Sequence, residues 1–253
     1  MENETERLVL SFSAGADSIG ALLRIKETET FDLSTALLYY FYYIPGIPFV
    51  DDYIDYFEDA LGVKIIKLPS VRFLSDMSNY LYQTPLGAMA IADLQKSRNY
   101  IPTTKTDKLE KILFENEGLS GETIKGIGVK RYDSFMRMKA MDRLEIHGIN
   151  LKNRKWYPVW DYKDKDIINI IKRHRIKVPM EYQLFGISYE NIDPRFLGPL
   201  VENCPKTMEI IKKYFPLCET MISRNEHYHP EWNKKHGVMY NKFDSYLGKP
   251  EDY

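Results

Sequence analysis

Cysteine is scarce in this chain. Only Cys204 and Cys218 occur in 253 residues, too few for the disulfide framework of a small secreted scaffold, so a reducing compartment is expected. A surplus of either charge is missing as well. The 35 lysines and arginines meet 36 aspartates and glutamates, a formal net charge of −1, so the molecule as a whole has no electrostatic pull toward nucleic acid or anionic membrane. Long apolar runs are lacking too: the most apolar window, residues 36–50, is interrupted by Pro45, Gly46 and Pro48 and falls short of the roughly 20 residues that span a bilayer. The opening M-E-N-E-T-E-R has no basic segment leading into an apolar stretch, so no signal peptide is expected. These absences predict a soluble, cytoplasmic protein with no membrane partner. No Walker-type G-x-x-x-x-G-K-[ST] occurs, which excludes that kind of phosphate loop, and no internal repeat is visible.

What is present is an α/β pattern. Residues 8–12, L-V-L-S-F, form a short apolar run; residues 13–18, S-A-G-A-D-S, are small and polar; Ile19, Leu22 and Leu23 then follow helical spacing. Strand, tight turn and helix in that order point backbone N–H groups and the positive end of a helix dipole at one place, the physical recipe for an anion site. Many α/β proteins share such a turn and bind nothing there.

A second buried strand is predicted over residues 35–44, T-A-L-L-Y-Y-F-Y-Y-I, and a third over 63–68. A helix joins them over 49–61, with Gly62 as its stop. Strands alternating with helices imply a parallel sheet whose ligands lie beyond the strands' carboxyl ends. Residues 69–98 read as amphipathic helix, 124–129 as a strand, 135–144 as a helix, 150–155 as a basic linker, 156–160 as the last strand and 164–174 as a helix. Prolines from Pro179 onward cut the remainder into short helices. The expected division is a nucleotide-binding α/β domain over 1–175 and a helical extension or lid over 176–253.

The chain resembles the phosphoadenosine phosphosulfate reductase-like branch of the N-type ATP pyrophosphatases, in particular the short stand-alone members often carried by bacteriophages. Residues 13–18 are similar to that family's S-G-G-x-D-S loop, the PP-loop, with Ala14 in place of the first glycine. Gly126-Ile127-Gly128-Val129 with Arg131, Asp133, Ser134 and Arg137 resembles its G-[IL]-R-x-x-[DE]-S-x-x-R block. Pro158 to Asp161 followed by Asp166 resembles P-[IL]-x-D-W-x-x-x-D-[VI], with Tyr162 replacing the tryptophan. Pro48-Phe49 with the segment up to Pro69, and Val178-Pro179 with Tyr182 and Gly186, add two weaker similarities, so the likeness extends over residues 8–216.

The resemblance implies a Rossmann-like parallel sheet of the adenine nucleotide alpha hydrolase type with a C-terminal helical subdomain. It implies ATP with Mg²⁺ carried on the phosphates, bound by Ser11, Ser13, Gly15, Asp17, Ser18, Tyr40, Lys130, Arg131, Asp133 and Ser134. Asp17, Arg131 and Arg137 are the implied catalytic residues. No protein-held metal site is implied. An acceptor oxygen would attack the α-phosphate and release pyrophosphate, with positioning and electrostatics carrying the rate because no general base stands out. The acceptor is open, a nucleobase or nucleic acid being one class, and a homodimer is allowed.

Two other readings stay open. Sulfonucleotide reduction or sulfur transfer would need a reactive thiol, but the family's C-terminal E-C-G-[IL]-H motif and its cluster-binding cysteine pairs are missing. Cys204 and Cys218 therefore read as inert buried thiols. A non-catalytic nucleotide- or nucleic-acid-binding module is the third. Its support is Ala14 together with a basic, aromatic C-terminal stretch containing Arg224, His227, Tyr228, His229, Trp232, Lys234, Lys235 and His236.

Overall fold

The computed structural model describes residues 7–29, 31–79, 105–120, 123–228 and 243–253. The unit around which everything is arranged is strand β1 (Val9–Ser11), a turn, and helix α1 (Ala16–Thr28). Strand β2 (Leu37–Tyr42), helix α2 (Pro48–Leu61), strand β3 (Ile65–Pro69) and helix α3 (Val71–Asn79) follow. Next come helix α4 (Thr106–Asn116), strand β4 (Lys125–Ile127), helix α5 (Phe135–Asp142), strands β5 (Ile149–Asn150) and β6 (Lys155–Trp156), and helix α6 (Asp164–Arg173). The sheet runs β3-β2-β1-β4-β6-β5, parallel throughout except for the antiparallel β5–β6 pair. The molecule is therefore α/β, with a six-stranded, mostly parallel central sheet.

Each central strand is buried on both faces, because successive side chains point to opposite sides. Leu10, Leu38, Tyr40 and Ile65 join the larger core beneath α1 and α2, while Val9, Leu37 and Tyr39 pack with Leu113 of α4 on the other face. Gly62 ends α2 in the left-handed conformation (φ 66°) and its N–H donates to Glu58 O, as the sequence predicts. The second strand starts later than expected. Asp32 accepts from the backbone N–H of Ser34 and holds residues 33–35 in a 3₁₀ turn before the strand begins.

The expected strand over 156–160 is confined to two residues. Pro158 cannot donate to a ladder, and Tyr157 N–H turns back onto Gly148 O. The stretch read as a basic linker is instead the turn of the β5–β6 hairpin, with Asn150 paired to Lys155. Of the long helical reading over 69–98, α3 is described and residues 80–98 lie outside the described residues.

The C-terminal segment contains helices α7 (Glu181–Phe185), α8 (Pro194–Asn203), α9 (Pro205–Tyr214) and α10 (Cys218–Tyr228). Its strands β7 (Val178–Pro179) and β8 (Tyr246–Leu247) form a small parallel pair. Met180, Tyr189, Phe196 and Ile211 belong to the same buried cluster as Leu10 and Phe57, so the segment shares the core of the sheet. None of the described helices is long and apolar enough to cross a membrane.

Candidate functional site

The strand order changes direction between β1 and β4, and the loops leaving these two neighbours meet there. In open α/β sheets ligands bind at such a switch point, beyond the strand ends. The loop after β1 carries residues 13–15 into α1; the loop after β4 carries Gly128 and Lys130. Gly128 lets them touch: a Cβ built on it would stand 2.5 Å from Ser18 Cα and 2.6 Å from Ser18 N. A cavity of about 280 Å³ opens at this point, lined on one side by Ser13, Gly15, Asp17, Gly128 and Lys130, and on the others by Asp164 with Ile167 of α6 and by Tyr182, Ser188 and Phe243 of the C-terminal segment.

The turn is held by its own hydroxyls. Ser18 Oγ accepts from Ser13 N (3.2 Å) and Ser13 Oγ (3.1 Å) and donates to Gly15 O (2.8 Å), while Ser13 Oγ accepts from Gly15 N (3.3 Å). Ala14 takes φ 56°, the left-handed conformation that favours glycine. Gly15 has an ordinary φ of −73° as the residue preceding α1. The loop thus keeps a glycine-like backbone where it carries alanine. Tyr182 OH accepts from Ala16 N–H at 2.7 Å, placing a neutral oxygen on a backbone donor at the positive end of α1.

Lys130 is the charged centre. It is 5% exposed, and its Nζ pairs with Asp17, with Asp133 at 3.1 Å and with Asp164 at 3.3 Å. Burial pulls its pKa down, but the hydrogen bond and charge of Asp17, joined by those of Asp133, outweigh it and leave the pKa raised. Asp17 is also raised: burial dominates, Lys130 opposes it, and the charges of Asp133 and Asp164 add to it. Three carboxylates, Asp17, Asp133 and Asp164, share the one ammonium of Lys130, so the site carries a negative excess.

Of the residues named from sequence, Ser13, Gly15, Asp17 and Lys130 line the cavity, and Ser18 fixes the loop behind them. Asp133 stands one contact further out, on Lys130 and on Arg137 (2.6 Å). Arg137 therefore reaches the loop only through Asp133 and Lys130. Arg131 pairs with Asp142 at 3.1 Å and lies over the rings of Tyr132 and Trp160, away from the cavity lining. Ser134 caps α5 by accepting from Arg137 N–H. Tyr40 is buried in the core, where burial and the charges of Glu181 and Asp51 push its hydroxyl pKa up. Ser11 pairs in register with Tyr39, on the sheet face where Tyr39 OH donates to Glu110, because strand alternation turns it away from the face bearing Leu10.

Sequence reasoning did not assign Asp164 or Ser188 to the site, and it met Tyr182 only as part of a resemblance. Asp164 had a local signal, an aspartate at the first turn of a strongly amphipathic helix. Ser188 had none, since it arrives through the tertiary fold. Among the described residues no group of three or more histidines, cysteines or carboxylates is placed to hold a metal ion. Cys204 and Cys218 are buried; burial, with the charge of Glu251, pushes the Cys204 thiol up to about 11, and Cys218 is also raised, by burial first. These are poor nucleophiles at neutral pH. Of the basic C-terminal stretch, residues 229–236 lie outside the described residues. Comparison with models of known protein families gives no match, and comparison with curated proteins gives no significant one.

Proposed function

We propose that the chain is an ATP-binding enzyme of the PP-loop kind, with an adenine nucleotide alpha hydrolase sheet, that adenylates an acceptor and releases pyrophosphate. The observation that carries this reading is the meeting of Asp17 and Lys130 at the β1/β4 switch point, beside the N-terminus of α1 and the Ser13–Ser18 hydroxyl pair. A buried ammonium, oriented hydroxyls and a helix N-terminus around one small cavity form an oxyanion-binding set. The volume of about 280 Å³ lies just under the roughly 300–1,000 Å³ of ordinary small-molecule pockets, so it suits the phosphate end of a nucleotide.

Charge decides the form in which the nucleotide binds. A bare polyphosphate would face Asp17 and Asp164 as well as Lys130, and like charges at this range repel. Mg²⁺ carried on the phosphates would remove that repulsion, and Asp17, which lines the cavity, would face it. In the reaction an acceptor oxygen attacks the α-phosphorus and the bond to the bridging oxygen of pyrophosphate breaks. Pyrophosphate leaves, and hydrolysis of the adenylated product yields AMP. Lys130 stabilises the negative charge on the leaving group. Arg137 serves the same charge after parting from Asp133, and Arg131 stands at the acceptor side.

Calorimetry tests the reading. Wild-type protein should bind ATP with Mg²⁺ and much more weakly in EDTA. Asp17→Asn and Lys130→Met should each weaken binding by roughly 10- to 100-fold, the effect of losing a charge-assisted hydrogen bond, with folding confirmed by circular dichroism. Unchanged affinity in both folded variants would refute the assignment, and turnover of ATP to ADP would refute adenylation.

A further inference from the structure

Beyond the cavity, the chain between β4 and β6 presents a second surface, of which only Lys130, Arg131 and Arg137 are given roles in the proposed nucleotide site. Between residues 131 and 163 the sequence carries eight lysines and arginines and four acidic residues, a surplus of four positive charges in a chain whose net charge is −1; Lys125 and Lys130, just before that stretch, are held in pairs with Glu110 and Asp17. Its exposed face is concentrated in and just before α5. Helix α5 buries only Met141 and leaves Phe135 61% and Met136 74% exposed, while Tyr132, just before it, is 47% exposed. A helix of an α/β domain ordinarily buries an apolar stripe against its neighbours. Here the apolar side chains face outward and cations stand over them: Lys139 Nζ lies 4.4 Å from the Phe135 ring centre, and Arg131 and Lys163 lie 5.1 and 5.5 Å from that of Tyr132.

We propose that this surface binds single-stranded nucleic acid, with the phosphates on the cations and the bases stacked against Tyr132, Phe135 and Met136. Exposed rings interleaved with lysine and arginine match a chain that offers a π-face and a negative charge at each nucleotide. A duplex hides its base faces and would use only the cations. Stacking and phosphate contact do not read the 2′-hydroxyl, so DNA and RNA should bind alike. Tyr132 is two residues from Lys130, at most about 7 Å along the chain, which sets this surface next to the cavity. The inference rests on the proposed function in one respect only: it names the acceptor class of that reaction. Binding itself requires no ATP.

The test is fluorescence anisotropy with labelled mixed-sequence 20-nucleotide DNA and RNA and the corresponding DNA duplex, without ATP, from 50 to 200 mM salt. Both single strands should bind more tightly than the duplex. Phe135→Ala should lose roughly 5- to 100-fold in affinity, and a Lys139→Ala, Arg143→Ala pair should flatten the slope of log affinity against log salt by about 1.4. Neither variant touches the cavity, so both should bind ATP as wild type does. Asp17→Asn should keep its oligonucleotide affinity, which separates failure of the nucleotide reading from failure of this one. Oligonucleotide affinity unchanged by both surface variants, or a preference for the duplex, or binding to phosphatidylserine vesicles with none to oligonucleotides, would overturn the proposal.

Discussion

Ala14 stands at φ 56° and is buried in the main core, 4% exposed, and three effects of similar size act on it. An L-residue in the left-handed region costs about 1–2 kcal/mol. Burial of the methyl returns about 0.8 kcal/mol, and alanine's smaller unfolded-state freedom relative to glycine returns about 0.4–1 kcal/mol. The sum is close to zero, which is why alanine is tolerated where the resembling loops carry glycine. Ala14→Gly should therefore leave the urea midpoint almost unchanged, within about 0.5 kcal/mol. Ala14→Val should lose about 2 kcal/mol or more, because a β-branched residue is a true outlier at positive φ. A stabilisation of 2 kcal/mol in Ala14→Gly would show that the methyl contributes nothing. At Gly15 the demand is for space: an added Cβ would lie 3.1 Å from Ser13 Oγ and 3.5 Å from Ser188 Oγ, side-chain ends that can yield.

Between elements, Gly128 has no room for a side chain. The atoms it would strike are backbone atoms of Asp17 and Ser18 in the first turn of α1, and backbone inside a packed helix has nowhere to move. Gly128→Ala should cost about 1–3 kcal/mol of stability, the usual range for overpacking. It should also weaken ATP binding, because the displaced turn carries Asp17; chemical denaturation and calorimetry on one preparation check both. The β1-turn-α1 unit, the parallel order of the first three strands and the Gly62 stop were legible in the sequence because each is a local pattern of alternation, periodicity or turn chemistry. So was the grouping of Ser13, Asp17 and Lys130, through a resemblance spanning two loops. The β5–β6 hairpin was not, since its two-residue strands are too short for any periodicity. Neither was the outward turn of Arg131, which depends on Asp142, Tyr132 and Trp160 meeting in space. Tyr182 on Ala16 N–H joins residues 166 positions apart, and no window along the chain registers such a contact.

On the scale of the whole molecule, the buried Glu181 of the C-terminal segment links stability to pH. It is 3% exposed, accepts from Tyr189 N–H at 3.1 Å, and its charge bears on Tyr40 of β2, Tyr53 of α2 and Tyr182 of α7. Burial, opposed only by the Tyr189 hydrogen bond, raises its pKa from 4.5 to about 8. The folded state thus holds this proton more tightly than the unfolded chain, and where the native state binds more protons, stability falls as pH rises. The contribution is fully present below about pH 4.5, declines up to about pH 8 and is flat above it. Asp17, also raised, acts in the same direction; the lowered Glu27 acts in the opposite one. Glu181→Gln keeps an acceptor for Tyr189 and removes the titration. The variant should be more stable than wild type at pH 8.5, by on the order of 5 kcal/mol, and the gap should close toward pH 5 in paired urea melts. A constant gap across that range would mean that Glu181 ionises in the folded protein as it does in water, and that the junction between the sheet and the C-terminal helices is open to solvent.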